Sequence, residues 1–82
     1  MVTEEMLCRF LKRIIGEKKV ITLREFIDIL IPNEFDLDED DYRLSETRPG
    51  EMMYEQRARN IKSHNTFPVN VEYINKTFIL KE

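Results

Sequence analysis

One cysteine, one histidine, two glycines and three prolines are spread over 82 residues. Cys8 has no partner within the chain, so neither an internal disulfide nor a cysteine-based zinc site can form, which suits a reducing compartment. His64 is the only imidazole and Cys8 lies in the middle of an amphipathic stretch, so a Cys-His pair and a multi-histidine metal centre both lack their parts. Gly-rich phosphate loops and serine nucleophile elbows are missing as well. No run approaches 18 apolar residues, and Glu4 and Glu5 precede Arg9, Lys12 and Arg13, leaving neither a basic n-region nor an apolar h-region at the N-terminus. These absences argue against an enzyme, a cofactor carrier, a membrane span and a secretory signal. The expectation is a non-catalytic cytoplasmic protein.

What is present is the composition of an ordinary folded domain, 41% hydrophobic and 35% charged. At this length a chain buries only about 60% of its unfolded surface, so residues 1–82 are expected to form one domain around one modest core. The net charge of −3 excludes a protein that coats nucleic acid by bulk charge. The charges are segregated, however: residues 1–50 carry eight Lys/Arg against twelve Asp/Glu, and residues 51–82 carry five against four. Acids gather at 34–46 and bases at 57–64.

Apolar residues at three- and four-residue spacing (Met6, Leu7, Phe10, Leu11, Ile14, Ile15) predict a first helix near 3–16, with Thr3 as N-cap and Gly16 as its end. "TLRE" at 22–25 reads as a capping box that opens a second helix near 22–31, with Leu23, Phe26, Ile27 and Leu30 on its buried face. Pro32 disfavours helix at Ile31 and is expected to stop it there. "EMMYEQRARNIKSH" at 51–64, free of Gly and Pro, predicts a third helix with Met53, Tyr54, Arg57 or Ala58, and Ile61 along one side. "VNVEYINKTFIL" is rich in β-branched and aromatic residues and predicts strands near 69–74 and 77–80 around an Asn75-Lys76 turn. The fold expected is α+β: a small winged helix-turn-helix of three helices and a C-terminal β-hairpin wing, its core built from Phe10, Leu11, Ile14, Phe26, Ile27, Tyr54, Ala58 and Ile61.

Between helices two and three, "EFDLDEDDYRLSETRPG" reads as a long solvated loop pinned by Phe35, Leu37, Tyr42 and Leu44. Asp36, Asp38 and Asp40 fall at positions one, three and five of an EF-hand-like loop. Position six is Asp41 where Gly is required and position twelve is Thr47 where a bidentate Glu belongs, so no calcium site is expected. The loop can instead serve as an acidic contact surface for a basic partner.

The sharper signal is the basic cluster. Arg reads guanine bidentately, Asn reads adenine, and Lys, Ser and His contact phosphates, so a helix presenting these types suits a DNA major groove. Arg59 and Asn60 are the candidate base readers. Arg57, Lys62, Ser63, His64 and the wing residue Lys76 are the candidate phosphate contacts. The competing reading is a solvated helix face, with Arg57 paired to Glu51 or Glu55 and His64 closing the helix.

The run "SETRPGEMMYEQRARNIKSHNTF" followed by an extended pair resembles the N-terminal winged-helix domains of Mrr-type and related restriction-associated proteins, over residues 22–80, most visibly at Arg57, Arg59, Asn60, Ser63 and His64. Those domains place an Arg-rich helix just before the wing. The chain departs from them where "NTFPVNVEY" has Pro68 and no Gly leading into the wing, and it has no nuclease core. What the resemblance implies is therefore binding of double-stranded DNA by helix and wing, without cleavage. The alternative expectation is a protein-interaction module, of a phage or regulatory factor, that offers its acidic loop 34–46 and Met52-Met53 to a partner protein. A homodimer is expected from the free strand edge of the wing.

Overall fold

The computed structural model describes all residues, Met1 to Glu82. Helix α1 (Glu4–Lys18) starts where expected, with the Thr3 hydroxyl accepting from Met6 N–H at 3.1 Å. It does not stop at Gly16. The helix runs on to Lys18 and is closed by Lys19, which takes a positive φ of 69° and donates its N–H to Ile15 O at 2.9 Å. The reason is tertiary: Lys19 O accepts from Leu80 N–H at 2.9 Å, so the chain must turn there to enter a sheet.

That sheet has three strands, not two. β1 (Val20–Thr22), β2 (Val71–Ile74) and β3 (Thr77–Leu80) lie antiparallel in the order β1-β3-β2. Three β-branched residues, Val20, Ile21 and Thr22, make β1; Ile21 is fully buried opposite Phe78, while Val20 and Thr22 face out. The hairpin joins β2 to β3 through Asn75 and Lys76, both at positive φ (51° and 54°), the signature of a two-residue type I′ turn. Because β3 is central, the free edges belong to β1 and β2, which corrects the expectation that the hairpin alone leaves its final strand open.

Thr22 ends β1 and caps the next helix, its Oγ1 accepting from Glu25 N–H at 3.0 Å. The other half of the expected capping box is absent, since Glu25 reaches Lys18 Nζ at 3.4 Å instead. The helical run then passes through α2 (Leu23–Glu25), a π turn over Phe26–Leu30 and α3 (Ile31–Glu34). Pro32 therefore does not end the helix. The widened turn, in which Ile31 N–H donates to Phe26 O, re-registers the hydrogen-bond ladder just before the residue that lacks a donor and would crowd the carbonyl four residues back.

The acidic segment is structured although most of its side chains stay exposed: of the four residues expected to pin it, Phe35 and Leu37 pack against the core, whereas Tyr42 and Leu44 are exposed. Asp38 caps the short helix α4 (Glu39–Tyr42) and exchanges reciprocal bonds with Asp41: Asp41 N–H to Asp38 Oδ1 at 3.0 Å and Asp38 N–H to Asp41 Oδ2 at 3.1 Å. Beyond it the chain doubles back, Leu44 bridging to Met52, with Pro49 and Gly50 (φ 83°) at the corner of a type II turn closed by Glu51 N–H to Arg48 O at 3.1 Å. Helix α5 (Met53–Asn60) follows, extended by a 3₁₀ turn over Ile61–Ser63.

One core of 16 buried residues joins these parts, including Phe10, Leu11, Phe26, Ile27, Tyr54, Ala58 and Ile61; Ile14, expected among them, packs at its margin. Phe26 sits between the stacked Phe10 ring at 5.8 Å and the edge-on Phe78 ring at 5.4 Å, linking α1 to the sheet through the middle helix. No helix is long and apolar enough to cross a membrane.

Candidate functional site

The seven residues singled out in the sequence do not form one patch. The helical period of α5 and the fold around it divide them three ways.

Arg57 turns toward α4. Its Nη1 lies 2.9 Å from Asp41 Oδ1 and its Nη2 2.7 Å from Asp40 Oδ2. Asp41 is 1% exposed and also accepts Val2 N–H at 2.9 Å, while the Arg57 side chain is 14% exposed. A carboxylate this deeply placed needs a full set of donors and a counter-ion; Arg57 is the nearer of two, with the Met1 amino group 3.9 Å from Asp41 Oδ2. Its partner is thus the acidic segment, and neither Glu51 nor Glu55 holds it. Arg57 and, after it, Arg43 keep the Asp40 carboxyl below the usual aspartate range.

Lys62, Ser63 and His64 occupy the end of the helix. Lys62 and Ser63 are exposed, with Lys62 Nζ lying over the Tyr73 ring at 4.9 Å, which ties the helix end to β2. His64 is half-buried and accepts Thr66 N–H at Nδ1, 3.1 Å away, while its own N–H closes the 3₁₀ turn on Ile61 O. That is a helix-ending role. Asn60 is exposed and has no side-chain partner in the fold.

Arg59 and Lys76 meet. Together with Thr22, Leu23, Arg24, Asn75 and Thr77 they line a cleft of about 280 Å³ between the start of α2, one side of α5 and the hairpin turn. Three cations and no carboxylate line it. The acids stand behind the guanidinium groups: Glu51 Oε2 holds Arg59 Nε at 2.8 Å, Asp28 grips Arg24 Nε and Nη2 at 2.8 Å each, and Glu55 Oε1 reaches Arg24 Nη2 at 3.2 Å. The sequence did not single out Arg24 or Thr22. The signal available was the β-branched "VIT", whose threonine opens "TLRE", since a strand there delivers the start of the helix to the hairpin.

On the far side of α5, Ser45 Oγ donates to Gln56 Oε1 and accepts Arg48 N–H at 3.1 Å, which fastens the returning loop to the helix. Exposed apolar side chains flank that loop: Tyr42 at the end of α4, and Leu44, 66% exposed, with its bridge partner Met52. Comparison with protein-family models, with curated proteins and with solved structures finds no match to this chain.

Proposed function

We propose that this chain is a winged helix-turn-helix module that binds double-stranded DNA, with α5 as the helix laid against the duplex and the β2–β3 hairpin as the wing. The observation that carries this reading is the convergence of Arg59 on α5, Lys76 at the hairpin turn and Arg24 on the preceding helical run around one cleft lined by no acid. The order of elements supports it: a strand between the first two helices adds to the hairpin, and the last helix leads directly into it. Lys62 and Ser63, exposed at the helix end outside that cleft, are the candidate backbone contacts, and Asn60 is the exposed side chain suited to adenine. Arg57 leaves the DNA-facing set, because Asp40 and Asp41 occupy it.

Titration of a fluorescent duplex, read by polarisation at about 50 and about 200 mM salt, tests the proposal. Three phosphate contacts give a log–log salt slope near −2.7. Absence of binding at the lower salt would end the DNA reading.

A second reading has its own observation. Leu44 and its bridge partner Met52 are both exposed, as is Tyr42, in a segment that also exposes Asp36, Glu39 and Glu46, a composition that suits a basic, apolar segment of a partner protein. A pull-down lost on Leu44→Ser but kept on Lys76→Gly would favour it. Self-association is tested by sedimentation at several concentrations, with the β2 edge as the proposed contact.

A further inference from the structure

We propose that the cleft framed by Thr22, Arg24, Arg59 and Lys76 is a specific seat for one phosphate group. Its natural source, a DNA backbone phosphate, rests on the function proposed above, but the site itself requires only the anion.

Four observations carry the inference. The cleft, at about 280 Å³, falls just below the range of roughly 300–1,000 Å³ typical of organic ligand sites, so it suits a small anion or a single phosphodiester crossing its mouth. Both guanidinium groups are held from behind and keep donors in reserve. Arg59 uses only Nε on Glu51 and Arg24 keeps Nη1 unengaged, so both have N–H donors left for an anion while their other donors are already anchored, which lowers the ordering cost of binding. Thr22 Oγ1 accepts Glu25 N–H, which leaves its own O–H to donate to an anion.

Lys76 supplies the fourth observation. It has no ion-pair partner, and it stands at the second position of a type I′ turn with φ 54°, where glycine is strongly preferred. A lysine there bears backbone strain that glycine would relieve, and such strain is retained where the side chain is needed. The turn is also fastened in place, because Lys76 O accepts Leu23 N–H at 2.9 Å and so holds the ammonium beside Arg24.

The experiment has two arms, both on the full chain. In the first, backbone amides are followed by NMR during titration with inorganic phosphate, against sodium chloride at matched ionic strength. Amides at 22–24 and 75–77 are expected to shift with phosphate alone, and Lys76→Gly and Arg24→Gln are each expected to weaken that response roughly tenfold or more, the loss of one charge-assisted hydrogen bond. Lys76→Gly eases the turn, so misfolding does not confound it, and its melting temperature confirms this. No phosphate-specific shift in the parent, or an unchanged response in both variants, overturns the proposal. The second arm repeats the duplex titration with the same variants. If phosphate binds and duplex does not, the seat stands for a phosphate-bearing small molecule and the DNA reading falls. If duplex binds and both variants bind like the parent, a DNA phosphate as the occupant of the seat is refuted and the DNA reading survives without it.

Discussion

Replacing Arg57 by Met keeps length and apolar bulk but removes the charge that faces Asp41. The Asp41 carboxylate, 1% exposed, would then be left with two backbone donors, Val2 N–H and Asp38 N–H, and with the Met1 amino group at 3.9 Å as its one remaining cation. Stripping one partner from a buried pair costs about 3–5 kcal/mol. The lower figure applies here, because both backbone donors remain on Asp41. About 3 kcal/mol is a large share of the roughly 5–15 kcal/mol available to a domain, and at this size it lowers the melting temperature by roughly 12–24 °C. Adding Asp41→Asn removes the orphaned charge, so the double variant should recover part of the loss, with a coupling energy of about 1–3 kcal/mol. Thermal and urea unfolding of the parent, both single variants and the double variant give the full cycle. A melting temperature for Arg57→Met within a degree or two of the parent, or a double variant whose loss equals the sum of the singles, would refute the placement of this pair. Among variants still folded at the assay temperature, Arg57→Met should bind duplex about as well as the parent, whereas Lys76→Gly should not.

Phe26→Ala empties the centre of the aromatic chain and should cost about 3–5 kcal/mol, read by urea unfolding; an unchanged midpoint would mean that Phe10 and Phe78 do not pack on it. Lys19→Gly should stabilise the protein by about 1 kcal/mol, since a lysine at φ 69° is strained, and a lower melting temperature would contradict that. Stability should also fall in acid. Asp40 is held below its ordinary range by Arg57, and Asp38 is lowered from 3.8 to about 2, first by the Met1 amino group and then by the backbone of Asp41. Depressed carboxyls contribute fully above their unfolded pKa and lose that contribution as pH falls through the folded one, so the decline belongs between about pH 4 and pH 2, and thermal melts across that range will locate it. Cys8 is buried and its thiol is pushed up by that burial, so it should resist thiol reagents until the chain unfolds; fast labelling of the native protein would contradict its placement.

The parts of the fold legible in the sequence were those fixed by local periodicity. Helix α1, helix α5 with its buried Tyr54, Ala58 and Ile61, and the hairpin around Asn75-Lys76 follow from spacing and turn chemistry alone. β1 was not legible because three residues carry no period, and Val20-Ile21-Thr22 becomes a strand only by pairing with residues at the far end of the chain. Pro32 misled for the opposite reason: a valid local rule was overridden by a π turn that the surrounding packing supports. In "DLDEDD" every aspartate looks alike, and only the tertiary approach of Val2 and Arg57 distinguishes the buried Asp41 from its neighbours. The candidate site divided along the same line. A basic helix is visible in the sequence, but which neighbours the helical period of α5 gives each side chain depends on the fold around it, which puts Asp40 and Asp41 beside Arg57 and Glu51 and the hairpin turn beside Arg59.

The central place of β3 has a consequence for how the chain is made. Thr77–Leu80 is the only strand that touches both others, so β1, synthesised at residues 20–22, waits for residues 77–80 before its backbone groups find partners. Emerging from a ribosome, α1 and the middle helical run can form, but no sheet can close over them until residue 80 clears the exit tunnel, and the face of Phe26 and Ile21 that Phe78 covers stays open until then. A chain stopped at residue 76 would hold two strands with nothing between them, which makes the final hairpin strand the latch on a domain that otherwise folds from its beginning.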